Sequence, residues 1–268
     1  MERLKRLHDE FGQSPWLDNL TRHMLLNGEL ARLRDAGIRG QTSNPTIFEK
    51  AISSGGADYD EQLGDLARGG GSATDAYWSL VLQDINGALD VWAPLHESSG
   101  GKDGFVSLEV SPELAHDDAG TIASAKDLWG RIGKPNLMIK VPATAEGVPA
   151  ILALVGAGVN VNVTLIFSLD RYAEVMEAYL AGLEAYEGDL SRIHGVASFF
   201  VSRVDTEVDR RLEGIGTDAA LALRGKAAVA QAVLAYQMFE QAFSGPRWDA
   251  LAARGANIQR VLWASTST

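Results

Sequence analysis

Short apolar runs recur along this chain, each bounded by turn residues and each but the last followed by a stretch of helical texture. In order, the strand-like runs are Trp16-Leu17-Asp18, Ile38 to Thr42, Phe105 to Val110, the segment Asn136 to Thr144 centred on Lys140, Val159 to Phe167, Gly195 to Val201 and Ile258 to Ala264. Runs of this length, rich in Val, Ile, Leu and Phe and stopped by Gly, Pro or Asn, read as buried strands. Helical spacing is predicted over residues 1–12, Leu20 to Leu33, Ala115 to Ile132, Val148 to Val155, Ser168 to about Tyr186, a stretch entered at Asp205, and Asp218 to Phe243. Residues 47–103 are helical in mixed register, with loops at Gly69 to Ser72 and Ser98 to Gly101. Strand–helix alternation repeated this way predicts an α/β fold with parallel strands, which are covered on both faces and so are near-continuously apolar.

Two architectures compete, an open doubly wound sheet and a (β/α)8 barrel. The first needs a glycine-rich phosphate loop after the first strand, and none is there. Gly156-Ala157-Gly158 precedes a strand instead of following one, and reads as a helix C-cap. In a barrel, catalytic groups come from the C-terminal ends of several strands. Asp18, Asn44, Glu109, Lys140, Asn162 with Thr164, Ser198 and Ser265 all lie at or near such ends. The expectation is a single (β/α)8 TIM barrel domain over residues 1–268. The seventh strand ends just before Thr268, so the barrel is expected to lack its C-terminal eighth strand and to be truncated there.

Lys140 is the most telling of these residues. Four apolar residues flank it in Leu137 to Val141, and Pro142 closes the run. Lysine is rarely buried, because its ammonium is costly to remove from water. Burial favours the neutral amine, a nucleophile that forms Schiff bases with carbonyl substrates. Taken alone, a lysine that ends an edge strand and snorkels to solvent is the commoner case. The polar residues at the other strand ends shift the balance. Side chains alternate with period two, so Asn162 shares a face with Thr164, Ser107 with Glu109, Thr42 with Asn44, and Ser198 with Phe200. Arg203 is out of phase with Ser198 and Phe200, so the sixth strand must end or bulge before it.

Bulk properties narrow the function. A formal charge of −11 argues against non-specific nucleic-acid binding and against an anionic membrane surface. The absence of cysteine removes disulfides, thiolate metal sites and cysteine nucleophiles. The five histidines are scattered without ligand spacing, so no metal is expected. The first seven residues lack the apolar core of a signal peptide, and the uncharged stretch Gly147 to Leu169 is broken by Pro149, Gly156 and Gly158. A cytoplasmic protein with no membrane or nucleic-acid partner is expected.

Thr42-Ser43-Asn44-Pro45-Thr46, Ser107-Leu108-Glu109-Val110, Ile139-Lys140-Val141-Pro142-Ala143-Thr144, Val161 to Ser168 and Ser198-Phe199-Phe200-Val201-Ser202-Arg203 resemble, in this order, the strand motifs of transaldolases. Trp16-Leu17-Asp18 and Leu262-Trp263-Ala264-Ser265-Thr266 are similar to segments of the longer bacterial members. The resemblance implies a barrel that transfers a dihydroxyacetone unit from fructose 6-phosphate or sedoheptulose 7-phosphate to an aldose phosphate, in the non-oxidative pentose phosphate pathway and without a cofactor. It implies Lys140 as the Schiff-base lysine and Asp18 as the acid/base at the carbon–carbon bond. Glu109 and Thr164 would position a water, and Asn44 and Asn162 would hold the dihydroxyacetone hydroxyls. Ser198 and Phe200 would line the cavity, while Arg203 and the Ser265 segment would hold phosphate. Sugar phosphates are the expected partners, on a monomer or homodimer. The alternatives are a fructose-6-phosphate aldolase-like lyase, which releases dihydroxyacetone to water, and an inactive truncated barrel that only binds.

Overall fold

The computed structural model describes residues 2–53 and 57–266. The chain forms two compact units: Met1–Pro112 with Asp127–Ile139, and Glu113–Lys126 with Lys140–Thr268. The fold is α/β. Seven strands alternate with helices as in a (β/α)8 barrel carried as far as its seventh strand, and no eighth strand occurs among the described residues.

In the first unit, α1 (Glu2–Phe11) leads into β1 (Trp16–Asp18), followed by α2 (Arg22–Leu26) and α3 (Glu29–Asp35). Next come β2 (Gly40–Thr42), α4 (Pro45–Ser53), α5 (Asp60–Arg68), α6 (Ala73–Ser98) and β3 (Phe105–Glu109). The strands β1, β2 and β3 are parallel neighbours in chain order. Trp16 stands opposite Gly40, and a Cβ on Gly40 would lie 2.3 Å from the Trp16 ring, so only glycine fits beneath the indole. The long helix α6 starts in a capping box between Ser72 and Asp75, which satisfies otherwise orphaned N–H groups. It buries Leu80, Val81, Ile85, Ala88, Leu89 and Trp92, the three-to-four spacing of one helical face. Asn136, at the entrance to β4 (Leu137–Pro142), donates from Nδ2 to the carbonyls of Leu89 and Gly104, tying that strand's start to the end of α6.

A charged cluster lies within this apolar packing. Arg22 and Asp84 are both buried and pair at 2.7 Å. The Tyr59 hydroxyl donates to the other Asp84 oxygen at 2.7 Å, and the Arg22 guanidinium lies 4.4 Å from the Tyr59 ring centre. Further donors of Arg22 reach Gln62 Oε1 and the Leu80 carbonyl. Burial raises the Asp84 carboxyl above the usual carboxylate range, against the opposing pull of Arg22 and Tyr59.

In the second unit, α7 (Asp118–Ile132) begins before Lys126 and α8 (Gly147–Val155) follows β4. Then come β5 (Val161–Ile166), α9 (Leu169–Ala185), β6 (Gly195–Phe200), α10 (Ser202–Ile215), α11 (Asp218–Leu221), α12 (Ala227–Ala242), α13 (Gly245–Ala253) and β7 (Gln259–Ala264). β5, β6 and β7 are parallel neighbours in chain order. Tyr172 of α9 packs edge-on against Phe199 of β6, with ring centres 5.6 Å apart.

Several expected elements change in detail. The helix expected over Leu20 to Leu33 divides into α2 and α3, because Gly28 takes a left-handed conformation between them. Asp218 to Phe243 likewise divides into α11 and α12, with Gly225 at φ +67° in the gap. The helix α13 is an addition, opened by Pro246 in its first turn. The helix expected to be entered at Asp205 starts earlier, at Ser202. Gly156 caps α8 and Gly158 has φ +83°, the C-terminal role expected of that pair.

Candidate active site

Asp18, Asn44 and Glu109 lie in the first unit. Asp18 ends β1 with an exposed side chain. The register β1–β2 sets it directly opposite Thr42, and Thr42 Oγ1 donates to Asp18 Oδ1 at 2.7 Å. The next residue along, Ser43, is fully buried and donates from Oγ to the Ser107 carbonyl at 2.8 Å, which fixes the end of β2 against β3. Asn44 follows in the turn. Its Oδ1 accepts from the Ile47 N–H at 3.0 Å, capping α4 ahead of Pro45. That cap uses the carboxamide oxygen and leaves Nδ2 as the group it can offer to a ligand. Glu109 ends β3 half-buried. Its field, after burial and ahead of the field of Glu49, raises the Tyr77 phenol.

The remaining candidate residues lie in the second unit. Lys140 lies in a strand whose six residues are all buried, and it is itself only 8% exposed. The turn after that strand is tightly made. Thr144 Oγ1 donates to the Ala115 carbonyl at 2.6 Å and accepts from the Gly147 N–H at 2.9 Å. A Cβ on Gly147 would sit 2.0 Å from the Pro142 carbonyl oxygen, so the turn behind Lys140 requires glycine.

Asn162 and Thr164 on β5 are fully buried. Ser198 Oγ, on β6, donates to Asn162 Oδ1 at 2.7 Å. Between the pairs Val163–Ala197 and Ile166–Phe199 the register shifts, so Thr164 and Leu165 both lie against Ser198. That is a β-bulge, the local device by which strands re-aim side chains near functional sites. Leu165 pays for it with φ +62°, left-handed and uncommon for a bulky residue. Thr164 Oγ1 is buried and has no hydrogen-bond partner among the described residues. A buried hydroxyl in that state is a place for an ordered water or a ligand atom.

β6 ends at Phe200, Val201 is the cap, and α10 begins at Ser202. The strand therefore ends before Arg203, one of the two ways, an end or a bulge, that its phase left open. The Arg203 guanidinium lies 4.8 Å from the Phe200 ring centre, a cation–π contact that orients it. Phe167 packs on the same ring, with centres 4.9 Å apart. Ser265, beyond β7, has φ +54°. Its carbonyl accepts from the Ser202 N–H at 2.9 Å, and the two hydroxyls lie 2.8 Å apart.

Residues 15–268 match the family model described as transaldolase/fructose-6-phosphate aldolase. The chain belongs to that family. It is 53% identical over 270 residues to Transaldolase 1 of Streptomyces avermitilis, an alignment covering 99% of this chain and 71% of that protein. It is 55% identical to the transaldolase of Thermobifida fusca over 98% of this chain and 72% of that one. The transaldolase of Mycobacterium marinum matches at 53% over 95% of this chain and 69% of its own length.

Thr42 is a partner of Asp18 to which the sequence alone assigned no role. Period two places it on the face of Asn44, but its bond to Asp18 spans 24 residues and exists only through parallel register. Ser202 is missed for the same kind of reason, since its partner Ser265 is 63 residues away.

Proposed function

We propose that this chain is a transaldolase that moves a dihydroxyacetone unit between sugar phosphates through a Schiff base on Lys140. The observation that carries this reading is a lysine only 8% exposed, in the middle of a buried strand, in a chain of the transaldolase/fructose-6-phosphate aldolase family. A lysine amine held in a buried strand is suited to nucleophilic attack on a carbonyl.

In this reading Nζ of Lys140 adds to the ketone of fructose 6-phosphate or sedoheptulose 7-phosphate, and water leaves to give the imine. The protonated imine accepts the electron pair of the adjacent C–C bond as that bond breaks. Asp18 takes the proton of the hydroxyl whose carbon departs as the aldehyde, and returns it when the retained three-carbon fragment adds to the acceptor aldose. Water then hydrolyses the imine and frees the amine. A well-placed acid/base is worth about two to four orders of magnitude in rate. The Thr42 hydroxyl bond to Asp18 supports that role, because it fixes one carboxylate oxygen and leaves the other for the substrate.

Glu109 and Thr164 handle the water that enters and leaves during imine formation. The buried, unpartnered hydroxyl of Thr164 supports this. Asn162 with Ser198, and Asn44 through Nδ2, hold the dihydroxyacetone hydroxyls, with Phe200 as the apolar wall. Arg203 and the Ser265 segment take the phosphate at the N-terminus of α10, where the helix dipole favours an anion. The partners are sugar phosphates. No helix among the described residues is long and apolar enough to cross a membrane.

Incubation with fructose 6-phosphate and erythrose 4-phosphate tests the reading. Transfer predicts sedoheptulose 7-phosphate and glyceraldehyde 3-phosphate in equal amounts, dependent on Lys140. Free dihydroxyacetone formed at the same rate without acceptor would instead assign the lyase activity that the family description also names.

A further inference from the structure

Asp18 is held from two sides by β2. On one face of that strand, Thr42 bonds the carboxylate. On the other, the preceding residue Gln41 is fully buried and points away from Asp18. Its Nε2 donates to the carbonyl of Asn19, the residue immediately after Asp18, at 2.7 Å. Its Oε1 accepts from Nε1 of Trp92 at 2.7 Å, and Trp92 is fully buried in α6. The Gln41 amide is therefore locked in rotation. Trp92 can only donate, so it fixes which end of the carboxamide is oxygen, and that fixes an N–H on Asn19.

Core packing alone does not ask for this arrangement. A buried glutamine costs free energy unless both ends are satisfied, and an apolar residue would fill the space without that demand. What the relay adds is a fixed point for the main chain one residue beyond the β1 terminus. The segment Asn19 to Thr21 leaves the strand there and runs into Arg22, which is held by Asp84 and Tyr59.

We infer that Trp92 and Gln41 form a positioning relay for the acid/base Asp18, setting the backbone from which its carboxylate reaches the substrate. The inference rests on the proposed role of Asp18. Neither Trp92 nor Gln41 touches the reacting atoms. Both act by holding the Asn19 carbonyl, so that Asp18 and Thr42 stay in register.

The two half-reactions separate this role from a general structural one. Imine formation uses Lys140, whereas bond cleavage uses Asp18. Gln41→Met keeps length and apolar bulk but can neither donate to Asn19 nor accept from Trp92. Trp92→Phe keeps an aromatic ring and removes only the N–H. The full chain carrying each change is assayed for borohydride-trapped adduct formation with fructose 6-phosphate, and for steady-state transfer to erythrose 4-phosphate. The relay predicts an unchanged rate and yield of adduct on Lys140 and an unchanged KM. It predicts kcat lower by about 10- to 100-fold for Gln41→Met, since displacement of a reacting group by 1 Å costs on that scale, and a smaller loss for Trp92→Phe.

Adduct yield and kcat falling together would mean that the variants merely lose folded protein, and would overturn the relay. Transfer at the parent rate in both variants would overturn it as well. If the unsubstituted chain formed neither adduct nor product, the reading of the site would fail first and the relay with it. That outcome is distinct from variants failing in an active parent.

Discussion

Replacing Asp84 by alanine removes the acceptor of two buried donors at once. Asp84 is 1% exposed and Arg22 6% exposed, so neither the guanidinium nor the Tyr59 hydroxyl can turn to water for compensation. Breaking one side of a buried ion pair costs about 3–5 kcal/mol, because the remaining charge stays buried without its partner. The Tyr59 hydrogen bond would add about 1 kcal/mol if it were independent, but it shares the same carboxylate and belongs within that range. Against a whole-domain stability of about 5–15 kcal/mol, this is a large loss. The double replacement Arg22→Met with Asp84→Leu removes both charges and fills the space with apolar groups. Such exchanges of buried pairs range from neutral to more stable by about 1–4 kcal/mol. The assay is urea unfolding followed by far-UV circular dichroism and tryptophan fluorescence on the parent, Asp84→Ala and the double variant. The expected result is a strong loss in Asp84→Ala and recovery of most of it in the double variant. Asp84→Ala within about 1 kcal/mol of the parent would refute the reasoning, since that is the scale of an exposed pair.

Other outcomes follow from the same structure. Gly147→Ala forces a Cβ to within 2.0 Å of the Pro142 carbonyl, so it should distort the turn behind Lys140 and lower both stability and adduct formation; thermal melts and borohydride trapping read the two effects. Thr42→Val removes the donor to Asp18 while keeping β-branching, and should cut kcat for transfer by about tenfold or more, in line with losing one aligned catalytic contact. Arg247 bridges Glu177 and Glu184 and holds the Glu184 carboxyl below its ordinary 4.5. Its contribution is therefore present above pH 4.5 and lost as pH falls through the lowered value. Because these groups are largely exposed, Arg247→Ala should flatten that acid limb by no more than about 1 kcal/mol, and salt should shrink the difference. Asp84 acts in the opposite sense. Its carboxyl is raised above 3.8, so its ionisation takes stability away as pH rises from 3.8 through the raised value, a slope visible in denaturant midpoints measured across that range.

The central strands were the most legible part of the chain because β3, β4, β5 and β6 are short and mostly apolar, as burial on both faces requires. Lys140 stood out against that background by its charge alone. Its burial in β4 matches what its neighbours imply. A break before Arg203 was also readable, since period two puts Arg203 out of phase with Ser198 and Phe200; of the two ways open, an end or a bulge, the strand ends. Helix divisions were less so. Gly28 and Gly225 end helical turns by adopting positive φ, yet a glycine within an apolar-periodic stretch reads equally well as a tolerated interior residue. The bulge at Thr164 and Leu165 was out of reach, because the run Val161 to Ile166 looks regular in composition and only pairing with β6 shifts it. Arg22 and Asp84 were hidden for another reason. Charged residues on helices read as solvated faces, and only the packing of α2 against α6 puts these two together.

The central claim is a covalent one, that Lys140 forms an imine with a ketose phosphate. Borohydride reduction in the presence of fructose 6-phosphate, followed by intact mass and peptide mapping, tests it most directly. The account predicts a single stable adduct, mapped to Lys140 and absent from Lys140→Ala. No adduct on folded protein, or an adduct carried by another lysine, would contradict it.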